Sequence, residues 1–226
     1  MNTKIFNEQD IMELARSAYE HGQANFPIIK EKCALLVIDM QDEFVKPHFC
    51  PYWVPESTRQ IPKIKQMIDA CRQMNIPVIY TVFGYTHAYL DRPKSGEYMP
   101  NRFPGLEFER SELFVEGKIY HELTVLEDEI VIFKPSYGAF YDTPLETILK
   151  NLEKDTVIIS GTMTNFCCGT TARQAYERGY KVIFGSDINA TDLPEMHEAE
   201  LKVLRKGFAC VMSSAEILAE LETVHL

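Results

Sequence analysis

Six short apolar runs, spaced by longer amphipathic stretches, constrain what this chain can fold into more than any other feature. They occupy residues 33–38, 77–82, 130–133, 156–159, 181–184 and 208–211, and are rich in Val, Ile, Leu and Phe. None shows the polar alternation of a half-solvated strand, so each suits a strand covered on both faces. The stretches between them carry helical spacing behind recognisable starts. Ser57 precedes Ile61, Ile64, Ile68 and Cys71; Thr143 and Pro144 precede Leu145, Ile148 and Leu152; Ser213 or Ser214 precedes Ile217, Leu218 and Leu221. Strand and helix in alternation imply right-handed crossovers and a parallel sheet, hence an α/β chain folded as a three-layer α/β/α sandwich. In such folds ligands bind beyond the carboxyl ends of the strands.

Two segments stand outside this pattern. Residues 1–32 form an N-terminal extension, with a helix over 8–21 predicted from Ile11, Leu14, Ala15 and Ala18 behind an Asn7 cap, before a break at Pro27. Residues 84–128 form a connection far longer than the usual ~12–15 residues. They are rich in Tyr, Phe, Pro and Gly and are expected to wall the substrate pocket. A chain of 226 residues with 46% hydrophobic content can bury one substantial core, so a single domain over 1–226 is expected.

A formal charge of -10 opposes association with nucleic acid or an anionic membrane surface. No run approaches the ~20 apolar residues of a membrane span, and no basic-then-apolar leader opens the chain, so a cytoplasmic protein is expected. The six cysteines include no C-x-x-C pair, and Cys167 and Cys168 are adjacent, which reads as reduced thiols.

Three segments carry candidate chemistry. Asp39 ends the first apolar run; alone, a strand-ending Asp is more often a turn residue. Lys134 ends the third run beside Pro135, Tyr137 and Phe140, and alone it would snorkel to solvent. The stretch Gly161-Thr162-Met163-Thr164-Asn165-Phe166-Cys167-Cys168 joins a strand to a helix through Ala172, Ala175 and Tyr176. Cys167 is therefore expected in the first turn of that helix, where free N–H groups and the macrodipole favour thiolate. Neighbours on a helix point about 100° apart, so one of the two thiols faces a pocket and the other packs as a small hydrophobe.

Together these segments resemble the isochorismatase-like cysteine hydrolases. The resemblance rests on Leu36-Val37-Ile38-Asp39-Met40-Gln41-Asp42-Glu43-Phe44, Val131-Ile132-Phe133-Lys134 with Ala139-Phe140, and the Gly161–Cys168 stretch. It is extended by residues 173–180, Ser186-Asp187 and His197-Glu198-Ala199. It implies a six-stranded parallel sheet of order 3-2-1-4-5-6, with Asp39 as general acid/base, Lys134 as its cationic partner and Cys167 as nucleophile. It also implies a cis bond between Thr162 and Met163, and an oxyanion site formed by the backbone N–H groups of Met163 and Cys167. Phe44, Tyr137, Phe140 and Gln41 are the candidate substrate-binding residues.

The activity implied is hydrolysis of a C–N bond in a small amide or ureide through a thioester. No cofactor and no metal are expected, and the chain is expected to form a homo-oligomer, dimer or tetramer. The Asp-x-His metal motif of nicotinamidases is absent, since the stretch after the second run reads Thr81-Val82-Phe83-Gly84, which demotes nicotinamide as substrate. Two alternatives stay open: a vinyl-ether hydrolase that dispenses with Cys167, and a non-catalytic binding member of the same superfamily.

Overall fold

The computed structural model describes residues 6–84, 86–98, 103, 105, 106 and 113–223. Every apolar run forms a strand: β1 (Cys33–Ile38), β2 (Val78–Phe83), β3 (Ile130–Lys134), β4 (Thr156–Thr162), β5 (Lys181–Ala190) and β6 (Cys210–Met212). They make one parallel sheet in the order β3-β2-β1-β4-β5-β6, as the resemblance implied.

The sheet is covered on both faces, which explains why β1 is apolar at every position. Cys33, Leu35 and Val37 pack in one core with α4 (Ile61–Gln73) and α8 (Ser214–Glu222). Ala34, Leu36 and Ile38 pack in a second core with α5 (Leu145–Asn151), α6 (Gly169–Glu177) and α7 (Pro194–Gly207). Pleating sends successive side chains to opposite faces, so a buried central strand has no polar position to spare.

Several boundaries differ from the sequence reading, each for a local reason. After the short α2 (Asp42–Val45), the helix expected behind Ser57 is split into α3 (Pro55–Arg59) and α4, and both start on prolines in their first turns rather than on a Ser57 cap. β5 continues to Ala190 through polar residues. Asn189 Nδ2 donates to the carbonyls of Ile159 at 2.8 Å and Gly185 at 2.6 Å, replacing ladder bonds where the β4–β5 register slips. Ser213, not Ser214, caps α8, in a reciprocal box with Glu216.

The N-terminal helix α1 (Glu8–His21) starts at Asn7, with Asp10 closing the box, and lies against α7. The 84–128 connection folds onto the α4 side of the sheet. Its Ile119 bridges Gln41, and the Phe114 ring sits 5.1–5.4 Å from those of Phe44, Tyr52 and Phe83. Residues 85, 99–102, 104 and 107–112 of that connection lie outside the described set.

Candidate active site

Three strand ends converge at the carboxyl edge of the sheet. Asp39 leaves β1 with φ 52°, a left-handed conformation that Asp tolerates better than most residues. Its N–H donates to the Thr81 carbonyl at 2.9 Å. On the other side of β1, Gly161 pairs with Ile38 at φ +127°, and a Cβ there would lie 2.0 Å from the Ile38 carbonyl oxygen. Only glycine lets β4 come this close to the base of Asp39.

Lys134 ends β3, two strands away, so its side chain must cross roughly 9–10 Å of sheet. It passes the end of β2 with Nζ 5.3 Å from the Phe83 ring centroid, comes 2.7 Å from Asp39 Oδ2, and donates to the Ser136 carbonyl at 2.8 Å. Asp39 Oδ1 accepts from the Thr81 hydroxyl at 2.9 Å. Asp39 and Lys134 are both wholly buried.

The segment that carries Cys167 departs from the expected geometry. Cys167 lies in a π-turn, Thr164–Cys168, in which the Cys168 N–H reaches back to the Met163 carbonyl at 3.1 Å; α6 begins only at Gly169. The Thr162–Met163 peptide is cis, the geometry the resemblance implied. Cys167, Asp39 and Lys134 lie close enough for each to shift the protonation of the others. Cys168 packs fully buried in the core shared with α5, α6 and α7.

Burial decides the protonation of this group. It pushes the Cys167 thiol up to about 12, with the Asp39 charge adding to the rise and Lys134 opposing it. A resting thiolate favoured by the helix dipole, as the sequence suggested, is therefore replaced by a neutral thiol beside a carboxylate. Burial also raises Asp39 above the usual carboxylate range, against the pull of Lys134, of the neighbouring Cys167 thiol and of the Thr81 hydroxyl. Burial draws Lys134 down, but Asp39 and Cys167 outweigh it and the net shift is upward. The arrangement can move a proton from sulfur to carboxylate while the ammonium holds the charge in place.

The other predicted site residues separate. Tyr137 stays beside the turn that carries Cys167, its ring 5.5 Å from that of Phe166. Phe44 is buried against Phe114 in the α4 core, and Phe140 is buried against Tyr180 in the opposite one. Gln41 is a brace: its Nε2 donates to Glu43 Oε2 at 2.9 Å and to the Phe83 carbonyl at 3.0 Å, while Oε1 accepts from the Phe83 N–H at 2.8 Å. In this structure all three pack as supports around the site. Thr81 and Phe83 were missed, although β2 runs in register beside β1 and Thr81 pairs with Ile38. Among the described residues, no three His, Cys, Asp or Glu side chains are grouped as metal ligands.

A parallel, doubly covered sheet with aspartate, lysine and cysteine from three separate segments meeting in its buried carboxyl edge defines a class of α/β hydrolases. Within that class the chain belongs to the isochorismatase family: the Isochorismatase domain matches residues 33–216. It is 32% identical over 182 residues to nicotinamidase 3 of Arabidopsis thaliana, covering 78% of this chain and 82% of that protein. It is 27% identical to the ureidoacrylate amidohydrolase RutB of Methylobacterium radiotolerans, over 86% and 84% of the two chains. Among solved structures, a cysteine hydrolase from Pseudomonas syringae pv. phaseolicola 1448A superposes with a TM-score of 0.77 at 26% identity, over 88% of this chain and 97% of that one. The protein is an isochorismatase-family hydrolase of the cysteine hydrolase superfamily.

Proposed function

We propose that the chain hydrolyses a C–N bond in a small amide or ureide, with Cys167 as nucleophile, Asp39 as acid/base and Lys134 as the charge that orients Asp39. The observation that carries this reading is the thiol–carboxylate–ammonium group itself, buried, with a 2.7 Å ion pair between Lys134 and Asp39 and the Cys167 thiol beside them.

In the proposed reaction Cys167 Sγ bonds to the carbonyl carbon as its proton passes to Asp39. Negative charge builds on the carbonyl oxygen, where the backbone N–H groups of Met163 and Cys167 would receive it; loss of one such donor typically costs about 10²–10³ in rate. The C–N bond then breaks as Asp39 protonates the leaving nitrogen, releasing ammonia or an amine. Water, deprotonated by Asp39, adds to the thioester, and the sulfur departs with the proton. The site residues supply each proton and the nucleophile without an organic cofactor.

The same reading takes a small molecule as substrate, a reducing compartment for the six free cysteines, a single domain over 1–226, and assembly into a homodimer or tetramer. Exposed Ile11, Met12 and Leu14 on α1 support the last of these. The relative named a nicotinamidase returns nicotinamide to the candidates despite the missing Asp-x-His motif. The test is ammonia release from a panel of nicotinamide, ureidoacrylate, N-carbamoyl amino acids and biuret. Cys167→Ser is expected to abolish the activity found, whereas Cys168→Ser retains most of it; equal loss from both changes rejects the assignment.

A further inference from the structure

Helix α7 aims two side chains, three residues apart, at the nucleophile turn. His197 Nδ1 lies 2.9 Å from the Thr164 hydroxyl, and its Nε2 lies 3.0 Å from the Ser186 carbonyl. Glu200 pairs with Arg173 at 2.5 and 3.1 Å, and its Oε1 lies so close to Gly169 that a Cβ there would meet it at 2.2 Å. Residues three apart on a helix share a face. Thr164 opens the π-turn and Gly169 follows its last residue, so one face of α7 holds both ends of the segment that carries Cys167.

The hydrogen-bond directions follow from the partners. A carbonyl oxygen only accepts, so Nε2 of His197 carries a hydrogen; in the neutral ring Nδ1 then accepts, and the Thr164 hydroxyl donates. The resulting chain runs from the polar stretch of β5 at Ser186, through His197, to the residue directly after Met163. Displacing Thr164 would shift both the Met163 N–H and the turn that presents the Cys167 thiol to Asp39.

We infer that His197 is a positioning residue for the nucleophile: it touches no reacting atom and sets the π-turn so that Sγ meets the Asp39 carboxylate. This rests on Cys167 being the nucleophile. The test is the rate of Cys167 alkylation by iodoacetamide in the full chain, resolved by peptide mass spectrometry, with melting temperature recorded for every variant. His197→Ala should slow labelling about tenfold, the effect of one hydrogen bond of ordinary strength. His197→Asn keeps an acceptor oxygen where Nδ1 sits and should recover most of the rate, whereas His197→Gln, whose polar atoms lie one bond further out, should stay slow. Thr164→Val should reproduce the loss from the other partner and serves if His197→Ala does not fold. Labelling at or above the wild-type rate in His197→Ala and Thr164→Val, or equal recovery by Asn and Gln, overturns the inference. Ammonia release by Cys167→Ser separates the two levels. If it matches the wild type, the nucleophile reading itself fails; if it is lost while His197→Ala labels at the wild-type rate, only the positioning role fails.

Discussion

Replacing Lys134 by Met removes one member of a fully buried ion pair and leaves its shape nearly intact. Breaking such a pair from one side costs about 3–5 kcal/mol, because the remaining charge has lost its partner and has no water. Asp39 retains the Thr81 hydroxyl, but that one donor does not replace an ammonium at 2.7 Å. The carboxylate can escape the cost by taking up a proton, so the penalty must depend on pH. Unfolded, Asp39 titrates near 3.9. Folded, burial already holds it above that, and without Lys134, which pulls it down, it rises further. Between the unfolded and folded values the folded state binds more protons, so stability is lost as pH rises, by about 1.4 kcal/mol per pH unit. Urea unfolding of the wild type, Lys134→Met and Asp39→Asn/Lys134→Met at pH 5 and pH 8 measures this. The single variant should lose more at pH 8 than at pH 5, and the double variant, which buries no charge, should recover most of the loss. A deficit equal at both pH values, or a double variant as unstable as the single one, refutes the reasoning.

Gly161→Ala should destabilise the fold by about 3 kcal/mol or more, because the new Cβ meets the Ile38 backbone at 2.0 Å in a left-handed conformation and only a shift of β1 against β4 relieves it. Thermal unfolding reads this, and a melting temperature within a degree of wild type would show the strand contact to be softer than described. Hydrolysis is expected to survive prolonged EDTA treatment, on the ground that the Asp-x-His motif is missing after β2. Activity lost to the chelator and regained with Zn²⁺, Mn²⁺ or Fe²⁺ would overturn that expectation.

The sheet was legible because a strand buried on both faces has to be continuously apolar, and that constraint is written residue by residue in runs such as Cys33–Ile38. Asp39 and Lys134 stood out as charges at the ends of such runs. Features that depend on contacts distant in sequence did not. The apolar run at 181–184 gives no sign that the strand goes on, yet Asn189 extends β5 by substituting its amide for ladder bonds. Gln41, Phe44 and Phe140 lie near Asp39 or Lys134 in sequence, but their packing partners, Ile119, Phe114 and Tyr180, come from distant segments. The thiol of Cys167 was the subtler case. The local dipole argument had the correct sign, and a whole-molecule quantity, burial, outweighed it. His197 extended the family resemblance in sequence without a role, and its partners appear only when Thr164 and Ser186 are seen on either side of its ring.

The sheet order also sets a hazard during biosynthesis. β1 lies between β2, which follows it closely in the chain, and β4, which follows more than a hundred residues later. At ribosomal rates of roughly 5–20 residues per second, the β4-facing edge of β1 stays open for several seconds after it emerges. That edge belongs to an uncharged, wholly apolar strand, the kind of segment that templates cross-strand association between chains. Chains truncated before residue 156 would retain this open edge permanently, so fragments of the protein should aggregate where the complete chain folds, and yield on expression should respond to conditions that slow or shield the nascent chain.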